Sequence, residues 1–481
     1  MNTISYHYDP QKIKTGILHI GVGNFHRAHQ QFYTNKLLEF EDQQQWGICG
    51  VCLLPSDEKI INDLKAQNLD YTLTVCGRNE TNQVYKIGSL NELIWGIEDP
   101  EAVKEKIADS NVKIITLTIT EGGYNLDKET GKFLLADKKI QEDLRNTENP
   151  STVFGFIAEG LSRRKMRNNG GVTILSCDNL QHNGNTSKQA FTEFIQAWDK
   201  DLAEWVKNHV TFPNSMVDRI TPSTTSEDIT RLNSSSGIAD LAPVYCEDFI
   251  QWVIEDDFIA GRPEWERVGV EFTDDVTAFE NMKLSLLNAS HTLLSYPSFL
   301  MGYRKVDQAM ENQNLKKFVR DFMDIDITPF VPVPKNTNLE EYKKTLLERF
   351  SNQSVSDQVA RLCFDGISKF PVYITPNLDK MIKADADLTR LAFLIAAYRH
   401  YLKYKKDDKG NSYEVSEPWL TPDDEQLILS VEPLDFLELS SFKSTGLRSS
   451  DKFVKLYARF ADEIKNQGTS PVLQSILNKL P

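Results

Sequence analysis

Short apolar runs alternate with helix-forming segments through the first half of the chain. The pattern predicts strands at residues 17–20, 48–53, 114–118, 172–175 and 217–220. Parallel strands need such an alternation, because each strand must be joined to its neighbour by a crossover connection, usually a helix. We therefore predict a doubly wound α/β sheet. Two further short runs, at residues 71–75 and 83–87, predict a hairpin inserted into this domain.

The second half of the chain shows helical spacing of its apolar residues instead. The predicted helices cover residues 280–296, 314–323, 339–350, 358–364, 387–404 and 451–465. Because 481 residues exceed the usual size of one hydrophobic core, two domains are expected. We place the boundary at residue 275, which gives an α/β domain at 1–275 and a mostly α-helical domain at 276–481.

The overall charge limits the class of partner. The chain has 69 acidic and 54 basic residues and a formal net charge of −15, which repels nucleic-acid phosphates and anionic membranes. The sequence contains no apolar run of membrane-spanning length, and its first residues do not resemble a signal peptide. We therefore expect a cytoplasmic protein with no nucleic-acid or membrane partner.

The cysteines and histidines do not predict a metal site. Cys49 and Cys52 have the spacing of a metal-binding knuckle, but no second Cys or His pair follows at zinc-finger distance. Alternating apolar neighbours place both in a buried strand. The eight histidines are dispersed along the chain, so we expect a protein without a catalytic metal.

A glycine turn follows the first predicted strand and precedes a helical pattern. Gly21 and Gly23 suit a tight turn that approaches a pyrophosphate, and the amides at a helix start favour that anion. His26 stands where a dinucleotide-binding fingerprint has its third glycine, so a plain strand-to-helix turn is the alternative. The predicted cofactor-binding residues are Gly21, Val22, Gly23, Asn24, Phe25, His26 and Arg27.

Asp57 follows the second predicted strand, at the position where the ribose of a dinucleotide lies in a Rossmann-type domain. A carboxylate at this point accepts hydrogen bonds from ribose hydroxyls and repels a 2′-phosphate, which favours NAD over NADP. The alternative is an acidic residue that only stabilises the start of the following helix.

Longer blocks of sequence show a resemblance to one family, the polyol-specific long-chain dehydrogenases and reductases, also called the mannitol dehydrogenase family. The resemblance extends over nearly the whole chain. The blocks that carry it are residues 21–30, 118–124, 176–180, 212–222, 272–276, 283–291 and 365–371.

The resemblance implies a two-domain enzyme that uses NAD, has no catalytic metal and is often a monomer. It implies a Rossmann-type N-terminal domain followed by a mostly helical domain that carries catalytic and substrate-binding residues. The signature Lys-x4-Asn-x2-His falls on Lys283, Asn288 and His291, and a further active-site asparagine falls on Asn179. The implied substrate-binding positions are Asp218, Arg361 and Lys369, and the implied acidic gate positions are Glu121 and Glu280.

The spacing of Lys283, Asn288 and His291 places them on one broad helix face, at about 0°, 140° and 80° for an α-helix. The alternative is the solvated polar face of an ordinary amphipathic helix. Oxidation of a secondary alcohol needs a hydride acceptor, a base, and donors that stabilise the developing alkoxide. We assign the base to Lys283, since burial lowers a lysine pKa from its usual value of about 10.4. Asn179 and Asn288 would donate to the substrate oxygen, and His291 would orient it.

The substrate class remains open among members of the family. A keto-uronate needs a cationic clamp, whereas a neutral polyol needs mixed donors and acceptors, and Arg361 and Lys369 fit either. The block patterns favour mannitol and fructose. The alternatives are arabinitol or sorbitol, a keto-uronate such as fructuronate or tagaturonate, and a non-catalytic NAD-binding protein.

Overall fold

The computed structural model describes residues 3–78, 81–127, 130–335 and 337–479. The chain divides into two units, one that ends at Thr277 and one that begins at Ala278. The largest cluster of buried apolar side chains comes entirely from residues 282–477, and two others come from residues 17–270. Each unit therefore has a hydrophobic core of its own.

Six parallel strands form the main sheet of the first unit. The strands are β1 (Thr15–Ile20), β2 (Gly47–Cys52), β3 (Leu90–Trp95), β4 (Ile114–Leu117), β5 (Val172–Ser176) and β6 (Val210–Thr211). Their spatial order is β3-β2-β1-β4-β5-β6. This is the order of a dinucleotide-binding Rossmann sheet, in which the order of strand addition reverses between β1 and β4.

Both faces of this sheet are covered. Successive residues of a strand point to opposite faces, and Ile17 and Leu18 accordingly belong to two different core clusters, both fully buried. The helices of this unit are Asn24–Ala28, Gln30–Leu37, Glu58–Ala66, Pro100–Ala108, Lys138–Arg145, Val153–Arg167, Asn183–Trp198, Lys200–His209 and Ser226–Ser236. The predicted Rossmann-type class is confirmed.

Two smaller sheets complete the first unit. The predicted hairpin forms as antiparallel strands Tyr71–Cys76 and Gln83–Ile87, flanked by Thr3–Ile4 and Val244–Glu247. Its loop includes Asn79 and Glu80, which lie outside the described residues. The strand predicted at 217–220 was wrongly assigned to the main sheet. It forms as Ser215–Asp218 and pairs instead with Gln251–Glu255, next to Glu271–Thr273.

The second unit is helical. The helix Val276–Lys283 includes its first residues, and the chain continues through a π-helical turn, Leu284–Asn288, into Ala289–Leu300. A second π-helical turn is Phe322–Ile327. The other α-helices of this unit are Val306–Glu311, Gln313–Asp321, Leu339–Phe350, Val359–Cys363, Gly366–Tyr373, Thr375–Lys383, Thr389–Tyr404, Pro422–Leu429, Asp451–Gln467 and Thr469–Lys479. None of the helices within the described ranges has the length and apolarity needed to cross a membrane.

Candidate active site

Gly21 forms the tight turn after β1. Its φ of +104° lies in the left-handed region that favours glycine, and a Cβ here would stand 2.2 Å from the Thr118 carbonyl oxygen. The Thr118 hydroxyl donates to the Gly21 carbonyl oxygen at 2.7 Å. Because Thr118 follows β4, this contact lies where the strand order reverses, the position at which such sheets bind ligands.

Gly23 presents open space rather than a close contact. It precedes the helix Asn24–Ala28, has a φ of −92°, and a Cβ placed on it would meet no atom within 4 Å. The first amides of a helix have no carbonyl one turn earlier, so they are available to an anion. The turn therefore fits a pyrophosphate. The helical pattern that follows the turn does not form one continuous helix. It is interrupted at His29, which has a φ of −114° and a ψ of −84°.

The other predicted cofactor residues around this turn have protein partners. Val22 is buried. Asn24 donates its side-chain amide to the Pro222 carbonyl oxygen and the Thr224 hydroxyl. Phe25 stacks on His29 with ring centroids 4.9 Å apart.

His26 and Arg27 are both buried beneath the turn. The His26 ring stacks on His19 with ring centroids 3.2 Å apart, and burial lowers the pKa of both imidazoles, that of His19 to about 3. The Arg27 guanidinium donates to the Ala242 carbonyl oxygen and to Asn24. Because both side chains are buried against other parts of the protein, any cofactor contact by these residues would be through their backbone.

Asp57 lies beyond the end of β2, in the short turn that begins the helix Glu58–Ala66. Its Oδ2 accepts a hydrogen bond from the Leu54 amide at 3.0 Å, and the side chain is half-buried. The geometry is compatible with both sequence interpretations, since one carboxylate oxygen stabilises the turn while Oδ1 remains for a ribose.

Glu121 and Asn179 follow neighbouring strands of the sheet. Glu121 lies in a short 3-10 turn after β4, Asn179 follows β5, and both are exposed. Asp178, directly before Asn179, is 6% exposed and accepts hydrogen bonds from the 119–124 segment. Burial raises the pKa of this carboxyl to about 6 although the hydrogen bonds oppose the rise. Asp218 is buried at the end of the strand Ser215–Asp218.

Lys283 is the last residue before the π-helical turn, and its side chain is 6% exposed. Five residues separate it from Asn288. A π-helix bonds each amide to the carbonyl five residues earlier and has more residues per turn than an α-helix, so residues at this spacing lie closer around the helix axis than the about 140° of an α-helix. The turn therefore aligns the two side chains better than the sequence prediction implied.

The remaining side chains of this helix face are close to the same turn. Glu280, three residues before Lys283, is 3% exposed. The Asn288 side chain has a buried Oδ1 with no hydrogen-bond partner among the residues that the structure describes. The His291 ring is half-buried and packs on Phe350 with ring centroids 4.3 Å apart. An amide group with unused hydrogen-bonding capacity beside a buried lysine suits a hydroxylated ligand.

Arg361 and Lys369 lie on two helices that pack against this region. Val359–Cys363 packs on Ala289–Leu300, and Gly366–Tyr373 packs on the π-helical turn. The Lys369 Nζ donates to the Arg361 and Leu362 carbonyl oxygens at 3.3 and 3.2 Å, and burial, followed by the Arg361 charge, lowers its pKa. The second unit thus brings together the helix of Lys283 and both predicted substrate-binding cations.

Asp357 is a member of this cluster that the sequence prediction missed. It is buried and forms two hydrogen bonds with the Arg361 guanidinium, one of 2.8 Å to Nε. Burial raises the pKa of Asp357, but the hydrogen bonds and charge of Arg361 outweigh it, and the net pKa is lowered. The Asp-x3-Arg spacing on one helical turn is a signal that could have suggested the pair.

Cys49 and Cys52 are free thiols within β2, and burial raises the pKa of each to about 12. Over the described part of the chain, no group of three or more His, Cys, Asp or Glu side chains is arranged to hold a metal ion.

Comparison with known proteins identifies relatives over the whole length. The mannitol dehydrogenase Rossmann domain model matches residues 15–267, and the mannitol dehydrogenase C-terminal domain model matches residues 275–465. The polyol:NADP oxidoreductase of Gluconobacter oxydans strain 621H is 43% identical over 413 residues, 85% of this chain and 84% of that protein. The mannitol 2-dehydrogenase of Neosartorya fischeri is 38% identical over 476 residues, 97% of this chain and 94% of that protein.

Two solved structures have the same fold over nearly every residue. A substrate-free D-sorbitol dehydrogenase has a TM-score of 0.92 and 39% identity, covering 98% of this chain and 97% of that one. The Pseudomonas fluorescens mannitol 2-dehydrogenase, in a ternary complex with NAD and D-mannitol, has a TM-score of 0.88 and 39% identity, covering 100% and 97%. The resemblance inferred from the sequence is confirmed, and the chain belongs to the mannitol dehydrogenase family.

Proposed function

We propose that the chain is an NAD-dependent dehydrogenase that interconverts D-mannitol and D-fructose. The observation that carries the proposal is Lys283, a buried lysine at the start of a π-helical turn that aligns it with Asn288. The family membership and the relatives named mannitol 2-dehydrogenase support it. From the sequence we expect a cytoplasmic protein, and the family resemblance implies a monomer. Size-exclusion chromatography with light scattering tests the oligomeric state.

The first unit is the proposed cofactor domain. The turn from Gly21 to Gly23 would hold the pyrophosphate of NAD, and Asp57 would accept hydrogen bonds from a ribose. When bound, NAD supplies the hydride acceptor for the alcohol carbon. The open space at Gly23 and the positive φ of Gly21 fit this use of the turn.

The second unit is the proposed catalytic domain. Lys283 would take the hydroxyl proton when mannitol is oxidised and return it to the ketone oxygen in reduction. Asn288 and Asn179 would donate to that oxygen, His291 would orient the hydroxyl, and fixed amides avoid reorganisation as charge develops. We assign Glu121 and Glu280 to the proton path and Asp218 to substrate binding.

The charges around Arg361 favour a neutral polyol over a keto-uronate. A carboxylate substrate needs a cation that is not already neutralised. Asp357 pairs with Arg361 through two hydrogen bonds, whereas the Lys369 ammonium donates to two neutral carbonyl oxygens and keeps its charge. The paired guanidinium keeps donors for hydroxyl groups but has little net charge for a carboxylate.

A substrate panel tests the proposal. The purified protein is mixed with NAD or NADP and with mannitol, arabinitol, sorbitol or mannonate, and NADH or NADPH absorbance is followed. We expect the highest kcat/KM with mannitol and NAD. A preference for mannonate would replace the proposal by a keto-uronate reductase, and no product from any substrate would support a non-catalytic NAD-binding protein.

Sorbitol is the second candidate substrate. A solved D-sorbitol dehydrogenase has the TM-score of 0.92, and a polyol:NADP oxidoreductase is 43% identical. The same panel separates the two candidates. A higher kcat/KM with sorbitol than with mannitol would identify sorbitol as the substrate, and a higher kcat/KM with NADP than with NAD would indicate the cofactor named for the polyol:NADP oxidoreductase.

A further inference from the structure

A buried carboxylate, Asp178, binds one loop of the first unit at three points. Its Oδ1 accepts from the Thr120 amide at 2.8 Å, and its Oδ2 accepts from the Ile119 amide at 3.1 Å and from the Tyr124 hydroxyl at 2.7 Å. All three donors belong to the segment that follows β4. The described geometry gives this carboxylate only donors from that segment, so its negative charge and both oxygens are used to hold the loop.

The loop that Asp178 holds is strained. Thr120 has a φ of +62° and a ψ of 171°, a conformation that belongs almost exclusively to glycine and costs about 1–3 kcal/mol in other residues. Such strain persists only where surrounding contacts enforce it. Two consecutive amides, of Ile119 and Thr120, donate to the same carboxylate, and Glu121 follows directly. The direction in which Glu121 leaves the sheet therefore depends on Asp178.

The backbone of Asp178 is fixed as well. Its carbonyl oxygen accepts from the Leu180 amide at 2.9 Å and from the Asn183 side chain at 3.1 Å. Asn183 is fully buried and also donates to the Ser176 and Ser215 carbonyl oxygens. Asn179 is thus the exposed tip of a turn whose residues on both sides are held in place.

The same loop is connected to the glycine turn. The Thr118 hydroxyl donates to the Gly21 carbonyl oxygen, and the His19 Nε2 lies 2.9 Å from that oxygen and 3.0 Å from the Thr118 hydroxyl. A continuous set of contacts therefore runs from the glycine turn through residues 118–124 to Asp178. The three positions lie at the carboxyl ends of β1, β4 and β5.

We propose that Asp178 is a positioning residue that sets the conformation of Glu121 and Asn179 together, by holding the strained Thr120 backbone against the Asn179 turn. The proposal rests on the proposed function for the roles of Glu121 and Asn179. Asp178 itself contacts only the protein in this arrangement, and it acts on the reaction through its two neighbours.

Asp178→Asn is the first test. The asparagine side chain keeps one acceptor oxygen, but its NH2 group replaces the other. The backbone N–H of Ile119 or of Thr120 then faces a donor, so the loop loses at least one of its two backbone contacts. Because misplacement by about 1 Å costs up to roughly 10²-fold in rate, kcat for mannitol should fall by about 10- to 100-fold. The KM for NAD should change much less, because the Gly21 turn keeps its Thr118 contact.

Asp143→Asn is the matched control. Asp143 is a buried aspartate of the same unit that accepts four hydrogen bonds from Ser151 and Thr152. Neither of these donor residues is a predicted site residue. We expect a similar loss of stability in both variants but an unchanged kcat in Asp143→Asn, whereas an equal fall of kcat in both would overturn the positioning role.

Hydrogen exchange tests the proposal without catalysis. In the full chain, the Ile119 and Thr120 amides should exchange at least about 10-fold faster in Asp178→Asn than in the wild type, since the loss of at least one acceptor lets the strained loop open more often. Adding Thr120→Gly, which removes the φ strain, should restore part of kcat. If Asp178→Asn does not fold, Tyr124→Phe removes one contact only and should show a smaller loss of kcat.

The outcomes separate the two proposals. A wild-type protein without polyol activity would refute the proposed function, while faster exchange of the two amides in the variant would still support the structural part of the inference. A variant with wild-type kcat and wild-type protection of both amides would overturn it.

Discussion

The two units hold their predicted site residues in different ways. In the first unit most of them follow the ends of β1, β2, β4 and β5, and the strand order brings these strand ends to one edge of the sheet. In the second unit they are side chains on helix surfaces, and a π-helical turn inside the helix decides which of them align. The order of strands in the sheet fixes where a ligand binds in the first unit, whereas in the second unit the relative directions of the side chains depend on the local number of residues per helical turn.

The difference predicts different consequences of substitution. A change in the Gly21–Gly23 turn or at Asp57 should mainly alter stability and cofactor binding. Asn179, whose side chain would contact the substrate oxygen, should behave like the helix residues. A change on the helix around the π-helical turn should mainly alter the reaction rate, because the buried side chain itself does the proposed chemistry. The experiments below test this division, beginning with the largest expected effect.

Lys283→Ala should reduce kcat for mannitol by about 10²- to 10⁴-fold, the usual contribution of a general acid or base. NAD binding, measured by NADH fluorescence titration, should remain near the wild-type value. Lys343→Ala is the control, because Lys343 is another buried lysine of the second unit, paired with Asp324 and Glu340. It should lose stability and keep kcat. Retention of most activity in Lys283→Ala would mean that another group is the base.

Asn288→Ala and Asn179→Ala should each reduce kcat by roughly 10²-fold, as does the loss of a single oxyanion donor. Asn288→Asp keeps the shape but removes the donor, and it should be at least as slow. Steady-state kinetics separate the effects on kcat and KM. An effect on the KM for mannitol alone would contradict the role of either asparagine and would assign it to substrate binding.

Much of the fold could be predicted from the sequence. The runs around Ile17, Ile48 and Ile114 are mostly apolar because their strands are covered on both faces, and each forms a central strand. The edge strand β3 was missed, since Asn91 and Glu92 interrupt its apolar run. The strand β6 has two residues, too few for any periodicity.

The site was predictable only where a residue type is required by local geometry. Gly21 needs glycine for its positive φ, and the sequence shows it. The π-helical turn carries no such mark, because residues such as Leu286 and Leu287 suit an α-helix equally well, and tertiary packing selects the wider turn. Asp178 escaped prediction because its partners are amides and a hydroxyl of residues 119–124, whose position only the fold defines. Asp357, by contrast, stands four residues before Arg361, a spacing that the sequence itself shows.

Gly21→Ala and Gly23→Ala compare two glycines of one turn. The Gly21 substitution forces a Cβ toward the Thr118 carbonyl at a positive φ, so the free energy of unfolding should fall by roughly 1–3 kcal/mol. Gly23→Ala meets no atom and should change stability by less than about 0.5 kcal/mol. Its methyl group would stand where a pyrophosphate approaches, so the Kd for NADH should rise by about 10-fold. Equal stability of the two variants would contradict this assignment.

Asp57→Asn tests cofactor selection. The amide keeps an oxygen for the Leu54 amide but removes the charge, so the turn should survive while repulsion of a 2′-phosphate disappears. We expect the ratio of kcat/KM for NAD to that for NADP to fall by roughly 10-fold. The measurement is the initial rate with each cofactor. An unchanged ratio would leave Asp57 with a structural role only.

The buried imidazole of His19 should make the first unit sensitive to acid. Burial lowers its pKa to about 3, against 6.5 in the unfolded chain, so the folded state binds fewer protons. Its contribution to stability is therefore present above pH 6.5 and is lost as the pH falls from 6.5 toward 3. Between about pH 7.5 and pH 5.5 the expected loss is about 1 kcal/mol for this group.

Urea denaturation at the two pH values measures this loss in the wild type and in His19→Asn, which keeps a polar group beside Gly21 without a titrating ring. The drop in stability should be about 1 kcal/mol smaller in the variant. His7→Asn, at a side chain 86% exposed, is the control and should retain the wild-type drop. If His19→Asn also retains it, the acid sensitivity belongs to other buried groups, and the glycine turn is held by geometry that does not depend on the protonation of His19.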